Sequence, residues 1–347
     1  MAPIADKTGF KPKAIVKKLL TGLPERSRTV LEARFGLGVS PDRVTLEAIG
    51  KRYGITRERV RQIENHALNA LKKSPGFAQA QDAFEELERI IDGLGGIVCE
   101  DDLLNFMTKD KSMQNHIYFL LVLGDPFKFR KEDDEVNRCW YVDPELAGKV
   151  EGALKNLYSG LSDEDLIPEG EMIDRFLKEL QTINDKHRND EVLRRWLAIS
   201  KGIGKNPLGE WGPAGSPNVK TKGVRDFAYL AVKKHGSPLH FREVSSLIEK
   251  MFDRAAHVAT THNELIKDDR FVLVGRGMYA LKEWGYTTGV VRDVIREALR
   301  KQGPMDKDQI IAAVLKERHV KPGTIVVNLQ NQKYFKRGKD GKFTLVK

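Results

Sequence analysis

Two stretches near the end of the chain, VRDFAYLAVKKHGSPLHFREVSSLIEK from Val224 and VRDVIREALRKQGPMDKDQIIAAVLKE from Val291, follow one pattern. Each starts a helix at an Arg-Asp pair, breaks at a Gly and a Pro, and resumes as a second amphipathic helix. Each then runs into a third helical stretch and closes on a β-prone hairpin, Phe271 to Leu281 in one and Tyr334 to Val346 in the other. Helices this short bury an apolar face only against neighbours, so the pattern predicts a row of small units, each of three helices and a two-stranded wing. The closing aromatics Trp140, Trp211, Tyr279 and Phe343 recur at roughly 65 to 70 residues, the size of one winged helix. Two earlier segments fit more loosely. In one, helices over Phe84–Leu94, Glu100–Met107 and Gln114–Leu123 lead to a hairpin, Phe127–Val142, that turns on the acidic run Glu132 to Glu135. The other begins at Val150 and closes over Trp196 to Trp211. For these two middle segments, an irregular helical domain with a coincidental rhythm remains the alternative.

The N-terminal region reads as helices throughout: Lys13–Leu20, Glu25–Phe35, Thr45–Tyr53 and Arg57–Lys73, with stops at Gly22, Gly36, Gly38 and Gly54. Leu46, Ile49 and Tyr53 give the third helix one apolar face, Gly54 permits a tight turn, and Thr56 is placed to cap the next helix. In that next helix Val60, Ile63, Ala67, Ala70 and Leu71 fall within an arc of about 100°, the face expected to pack inward. Arg57, Glu58, Arg61, Gln62 and Asn65 fall opposite. Arg bonds bidentately to guanine, Gln to adenine, and Glu accepts from the cytosine amino group, so this mixture at a helix N-terminus fits a major groove. The pattern is that of a helix-turn-helix; the alternative is the solvated face of an ordinary amphipathic helix.

The charge split places any contact with a polyanion at the ends of the chain; the alternative is that the asymmetry serves only solubility. Residues 1–76 carry a net +9, residues 77–285 a net −7 and residues 286–347 a net +8. The apolar run Tyr118 to Leu123 is far too short to span a bilayer, and the N-terminus lacks the apolar core expected of a signal peptide, so a cytoplasmic location is expected. Cys99 and Cys139 lack metal or redox spacing and read as core thiols. The eight histidines form no HExxH pair, although His235, His240, His257 and His262 share one segment. Gly202 to Asn206 lacks phosphate-loop spacing and reads as a wing turn, and Glu132 to Glu135 lacks the oxygen spacing of a calcium loop. No nucleophile elbow or carboxylate pair is apparent, so no enzyme, metal or cofactor is expected.

The residues LPERSRTVLEARFGLG, from Leu23, followed by TLEAIGKRYGITRERVRQIENHALNALKK, from Thr45, resemble region 4 of the primary-class sigma factors of bacterial RNA polymerase. The resemblance covers about one fifth of the chain. It implies that the second helix enters the major groove of a promoter minus-35 element, with base contacts from Arg57, Glu58, Arg61 and Gln62 and phosphate contacts from Arg59 and Lys51. It also implies that the neighbourhood of Leu37 and Leu46 contacts the flap of the polymerase β subunit. The aromatic promoter-melting region of a sigma factor is not seen before Leu23, so transcription from the chain and core polymerase alone is not expected. GSPLHFREVSSLIE from Gly236, with DDRFVLVGRGMYALKEW from Asp268, resembles the HARE-HTH winged helix found in the polymerase delta subunit.

The sequence therefore predicts a mainly α chain: a helix-turn-helix over residues 1–76, then winged-helix units over 77–146, 147–219, 220–286 and 287–347. Ser74-Pro75-Gly76 and Gly215 to Lys222 have the composition of linkers. The expected function is a DNA-binding transcription regulator or sigma-like accessory factor whose partner is double-stranded promoter DNA, with Asn65 added to the contacts above and Lys333, Lys336, Arg337 and Lys339 as a second phosphate strip. The rival is a polymerase-associated protein that docks on the β flap without reading sequence. Neither reading involves a membrane or a small-molecule substrate.

Overall fold

The computed structural model describes residues 10–180, 183–286, 289–338 and 340–346. The chain divides into two compact units, Met1–Gly204 and Lys205–Lys347. In the first, the N-terminal helices are α1 (Pro12–Leu20), α2 (Glu25–Phe35), α3 (Leu46–Tyr53) and α4 (Arg57–Lys72), each within a residue of its predicted bounds. The accuracy has a local cause, since Thr45 and Thr56 accept from Ala48 N and Arg59 N while Gly36 and Gly54 end their helices in the left-handed region.

Ser74-Pro75-Gly76 is not a linker. It starts a helical turn, α5 (Pro75–Gln79), with Ser74 Oγ donating to Leu71 O at 2.7 Å and Phe77 packed 5.0 Å from Phe84. A proline in the first turn of a helix and a proline in a linker look alike in sequence. What separates them here is that residues on both sides of the segment enter one core. Leu19, Leu20, Phe35 and Leu71 share one core with Ala80, Phe84, Leu87, Ile117, Phe119, Leu120 and Trp140.

Those later residues come from α6 (Gln81–Gly93), α7 (Glu100–Met107), α8 (Lys111–Leu123) and a three-stranded antiparallel sheet. The sheet is ordered β1-β3-β2, with β1 Ile97–Cys99, β2 Lys128–Arg130 and β3 Cys139–Tyr141. The acidic run between β2 and β3 is a turn built on Asp133, whose carboxylate accepts from the Val136 and Glu135 N–H groups and from Arg130. These donors hold its pKa down to about 2, the Val136 N–H most of all. Three more helices follow, α9 (Pro144–Ser159), α10 (Glu169–Leu180) and α11 (Asp190–Leu197). Trp196, fully buried, ties them back by donating to Gly95 O at 3.1 Å. A two-stranded hairpin follows, β4 (Ile203–Lys205) and β5 (Trp211–Pro213).

The second unit runs α12 (Val224–His235), β6 (Leu239–His240), α13 (Phe241–Phe252), α14 (Val258–Lys267), β7 (Phe271–Gly275) and β8 (Met278–Leu281), with sheet order β6-β8-β7. It continues with α15 (Val291–Gln302), α16 (Lys307–Glu317), α17 (Pro322–Leu329), β9 (Phe335–Arg337) and β10 (Phe343–Leu345) around a core of Ile295, Leu299, Ile310, Ile325 and Phe335. The other expected linker, Gly215 to Lys222, is also packed: Ser216, Asn218 and Val219 are buried, and Asn218 Oδ1 accepts from Arg270 at 2.9 Å. Arg270 also holds Asp268 and the buried Asp226, so a segment rich in turn residues is tied down by a guanidinium 52 positions away. Among the described residues no helix is long and apolar enough to cross a membrane, and no group of three His, Cys, Asp or Glu side chains is placed to hold a metal.

Candidate nucleic-acid interface

The geometry of the α3–α4 turn is set by two glycines. Gly54, at φ 63°, takes a conformation that a side chain would strain. Gly50 accepts the Ile55 N–H at 3.0 Å, and a β-carbon there would stand 2.6 Å from Ile55 O. The backbone of the turn therefore lies directly against α3, which orients α4. An isolated glycine inside a helical pattern was the sequence signal for this close approach, and it was not used.

Behind the turn, Val30, Ile49 and Val60 form a small buried cluster with Ala33, Val44, Leu46, Ile55 and Ile63 packed around it. Farther along α4, Ala67 and Leu71 enter the larger core shared with α6 and α8. The inward face of the helix thus spans two cores. Ala70, expected on that face, is exposed, while its neighbour Leu71 is buried and carries the face into the larger core in the last turn. Leu37, expected outside as a flap contact, is buried in the larger core, and Leu46 is half-buried against the small one.

The opposite face is as the periodicity places it: Arg57, Glu58, Arg59, Arg61, Gln62 and Asn65 are all exposed, as is Lys51 on α3. Glu58 takes a bidentate pair from Arg61, Nε to Oε2 at 2.9 Å and Nη2 to Oε1 at 2.7 Å. Arg61 hydrogen bonding holds the Glu58 carboxyl below its ordinary range, and the same bond raises the Arg61 guanidinium. Arg59 Nη1 donates to Gln62 Oε1 at 3.1 Å, and Lys51 pairs with Glu47 at 2.9 Å. The face is thus ordered by contacts within its own helices. An open hollow of about 560 Å³ lies at the N-terminus of α4, lined by Gly50, Lys51, Ile55, Thr56, Arg57 and Arg59.

A second set of residues, not anticipated from sequence, holds the loop between α2 and α3. Asn115 on α8, 2% exposed, donates to Gly36 O at 3.1 Å and to Pro41 O at 2.7 Å, and accepts from Arg43 Nε at 2.8 Å. The Arg43 guanidinium lies 3.9 Å over the Tyr118 ring. These partners are more than 70 positions apart, so no local pattern announces them. In the second unit, Lys333 stands in the turn before β9, and Lys336 and Arg337 lie on it, all exposed. Lys339 lies outside the described residues.

Against this geometry, the family model described as sigma-70, region 4 matches residues 19–73. The matched segment contains α2, α3 and the whole of α4, with the turn between the last two. The match supports a helix-turn-helix in the N-terminal region and a transcription role that is DNA-binding or RNA polymerase-related.

Proposed function

We propose that this chain is a transcription regulator or sigma-like accessory factor that reads a minus-35-like promoter element with α4 and acts by binding, without a catalytic step, in the cytoplasm. The observation that supports the reading is the exposed N-terminal half of α4, where Arg57, Glu58, Arg61 and Gln62 share one face on a helix fixed by Gly50 and the Thr56 cap. On such a rigid, water-facing helix, Arg61 exchanges Glu58 for a guanine edge, Gln62 exchanges Arg59 for adenine, and Glu58 is freed to accept from cytosine. Arg59 then faces a phosphate, and Lys51 and the hollow at the α4 N-terminus receive another. Asn65, one turn farther on, reaches the edge of the same footprint.

The remaining modules are read as winged helices that add contacts. The order α12, β6, α13, α14, β7–β8 supports a three-helix-plus-wing reading, as does the resemblance of Gly236 to Trp284 to the HARE-HTH module. The order α15, α16, α17, β9–β10 repeats it, with Lys333, Lys336, Arg337 and Lys339 as a phosphate-facing strip.

The test is selection of duplexes from a random pool by the full chain, followed by anisotropy titration of the winning duplex and a scrambled one. Enrichment of a single short motif, bound at least tenfold more tightly than the scramble, supports the reading. Equal binding to both, together with capture of purified core polymerase, makes docking on the β flap the better account. That rival is weakened by the burial of Leu37, one of the two residues on which it rested.

A further inference from the structure

The only two cysteines of the chain, 40 positions apart, face each other across the sheet of the first unit. Cys99 on β1 and Cys139 on β3 are direct register partners, and their sulfurs lie 3.8 Å apart. The ladder bonds around them run from Glu100 N to Arg138 O and from Val142 N to Gly96 O. In an antiparallel pair, hydrogen-bonded positions alternate with non-bonded ones. With 100 opposite 138 and 96 opposite 142 as bonded positions, 99 opposite 139 is a non-bonded one. Opposing Cα atoms are closest there, about 4.5 Å apart, which is within the roughly 4.4–6.8 Å that a disulfide spans and near its short end.

The surroundings give the two thiols different parts. Cys99 is half-buried, and its sulfur is 3.7 Å from Ala198 O, a carbonyl that Asn137 Nδ2 also serves at 3.1 Å. Turning Cys99 toward its neighbour therefore leaves Ala198 O bonded. Cys139 is buried, 3.2 Å from Asn137 O, and contact with Cys99 and burial push its thiol well above the ordinary range.

We propose that Cys99 and Cys139 form a modification site that takes a low-molecular-weight disulfide such as oxidised glutathione and closes to a reversible cross-strand bridge. The Cys99 thiolate attacks one sulfur of the reagent, forms a mixed disulfide and expels one thiolate, which takes up the proton Cys99 gave to solvent. Cys139 then loses its proton, attacks Cys99 Sγ and expels the second thiolate. Two protein thiols are oxidised, and one reagent disulfide is reduced to two thiols. Because Cys139 is buried and hard to deprotonate, the second step is the slow one. The bridge encloses α7, α8 and β2, and α8 is the helix that holds the α2–α3 loop through Asn115.

The experiment treats the full chain with oxidised glutathione, quenches with an alkylating agent at intervals and follows intact mass. The expected course is a single glutathione adduct, mapped to Cys99 by digestion, that gives way to a species lacking two hydrogens and closed to alkylation. Reduced glutathione reverses it. Cys139→Ala stops at the adduct, and Cys99→Ser takes up little reagent. A wild-type adduct that persists as in Cys139→Ala, or two thiols still open to alkylation after saturating oxidant, overturns the proposal. If Cys139→Ala fails to fold by circular dichroism, the wild-type time course decides alone.

Discussion

The α3–α4 pair and the α16–α17 pair lie at the two basic ends of the chain, and each finishes in a helix with a solvent-facing side. They place charge differently. The sixteen-residue α4 is capped by the Thr56 side chain and carries Arg57, Glu58, Arg59 and Arg61 on the helix itself. The eight-residue α17 has no side-chain cap and no charged residue; it exposes Thr324 and Val327, and its charge comes from Lys333, Lys336 and Arg337 beyond it. Charge and amides fixed on a capped helix make directional bonds, which distinguish one base pair from another. Lysines on a short hairpin supply attraction that depends little on direction. Under the proposed function, readout would fall to the first region and general affinity to the second.

The largest effect is expected where the first region's geometry is fixed. Gly50→Val sets a β-carbon against Ile55 O, a backbone atom that cannot step aside alone, so a loss of about 3 kcal/mol in unfolding stability is expected. Denaturant titration of the variant would check it. A change under about 0.5 kcal/mol would mean the turn is loose and α4 is not held as a reader. Next come Arg61→Ala and Gln62→Ala, each expected to cost about 1 to 3 kcal/mol on the selected duplex and little on a scramble. Equal losses on the two duplexes would erase the contrast between the regions. The Thr56→Ala variant is smaller again: loss of the bond to Arg59 N should cost about 1 kcal/mol of stability, seen as a lowered melting temperature.

The same contrast explains what could be read from sequence. The bounds of α2, α3 and α4, their caps and the exposed face at Arg57 to Gln62 depend on residues within a turn or two of one another, and periodicity reports such relations directly. The two expected linkers failed because Pro75 and Gly215 look the same whether or not their segment is held; the contacts that hold it are made by their neighbours, Phe77 against Phe84 in one case and Asn218 with Arg270 in the other. Leu37 was misplaced for the same reason, and the contacts of Asn115 were not anticipated, since an asparagine bonded to two distant carbonyls has no local signature. The opposition of Cys99 and Cys139 follows from strand register, which a three-residue strand does not specify by itself.

The smallest effect tests the second region. Lys336 and Arg337 are exposed on β9, and Arg337 is partly engaged, its Nε donating to Gly341 O at 3.2 Å. If they meet phosphates, each alanine replacement releases about one fewer counterion, so the slope of log affinity against log salt falls by about one unit. At physiological salt the loss from one contact should stay below about 1 kcal/mol and be the same for selected and scrambled duplexes, because a phosphate carries no base identity. The two variants also differ from each other in a checkable way. Lys336 offers a mobile ammonium, whereas Arg337 gives up its bond to Gly341 O on engaging a phosphate, so Lys336→Ala should lower the slope at least as much as Arg337→Ala. Anisotropy titrations of the full chain at four salt concentrations on both duplexes would measure this. An unchanged slope for both variants would remove the hairpin from the DNA footprint, and a loss confined to the selected duplex would make it a reader after all, leaving α4 as only part of the specificity.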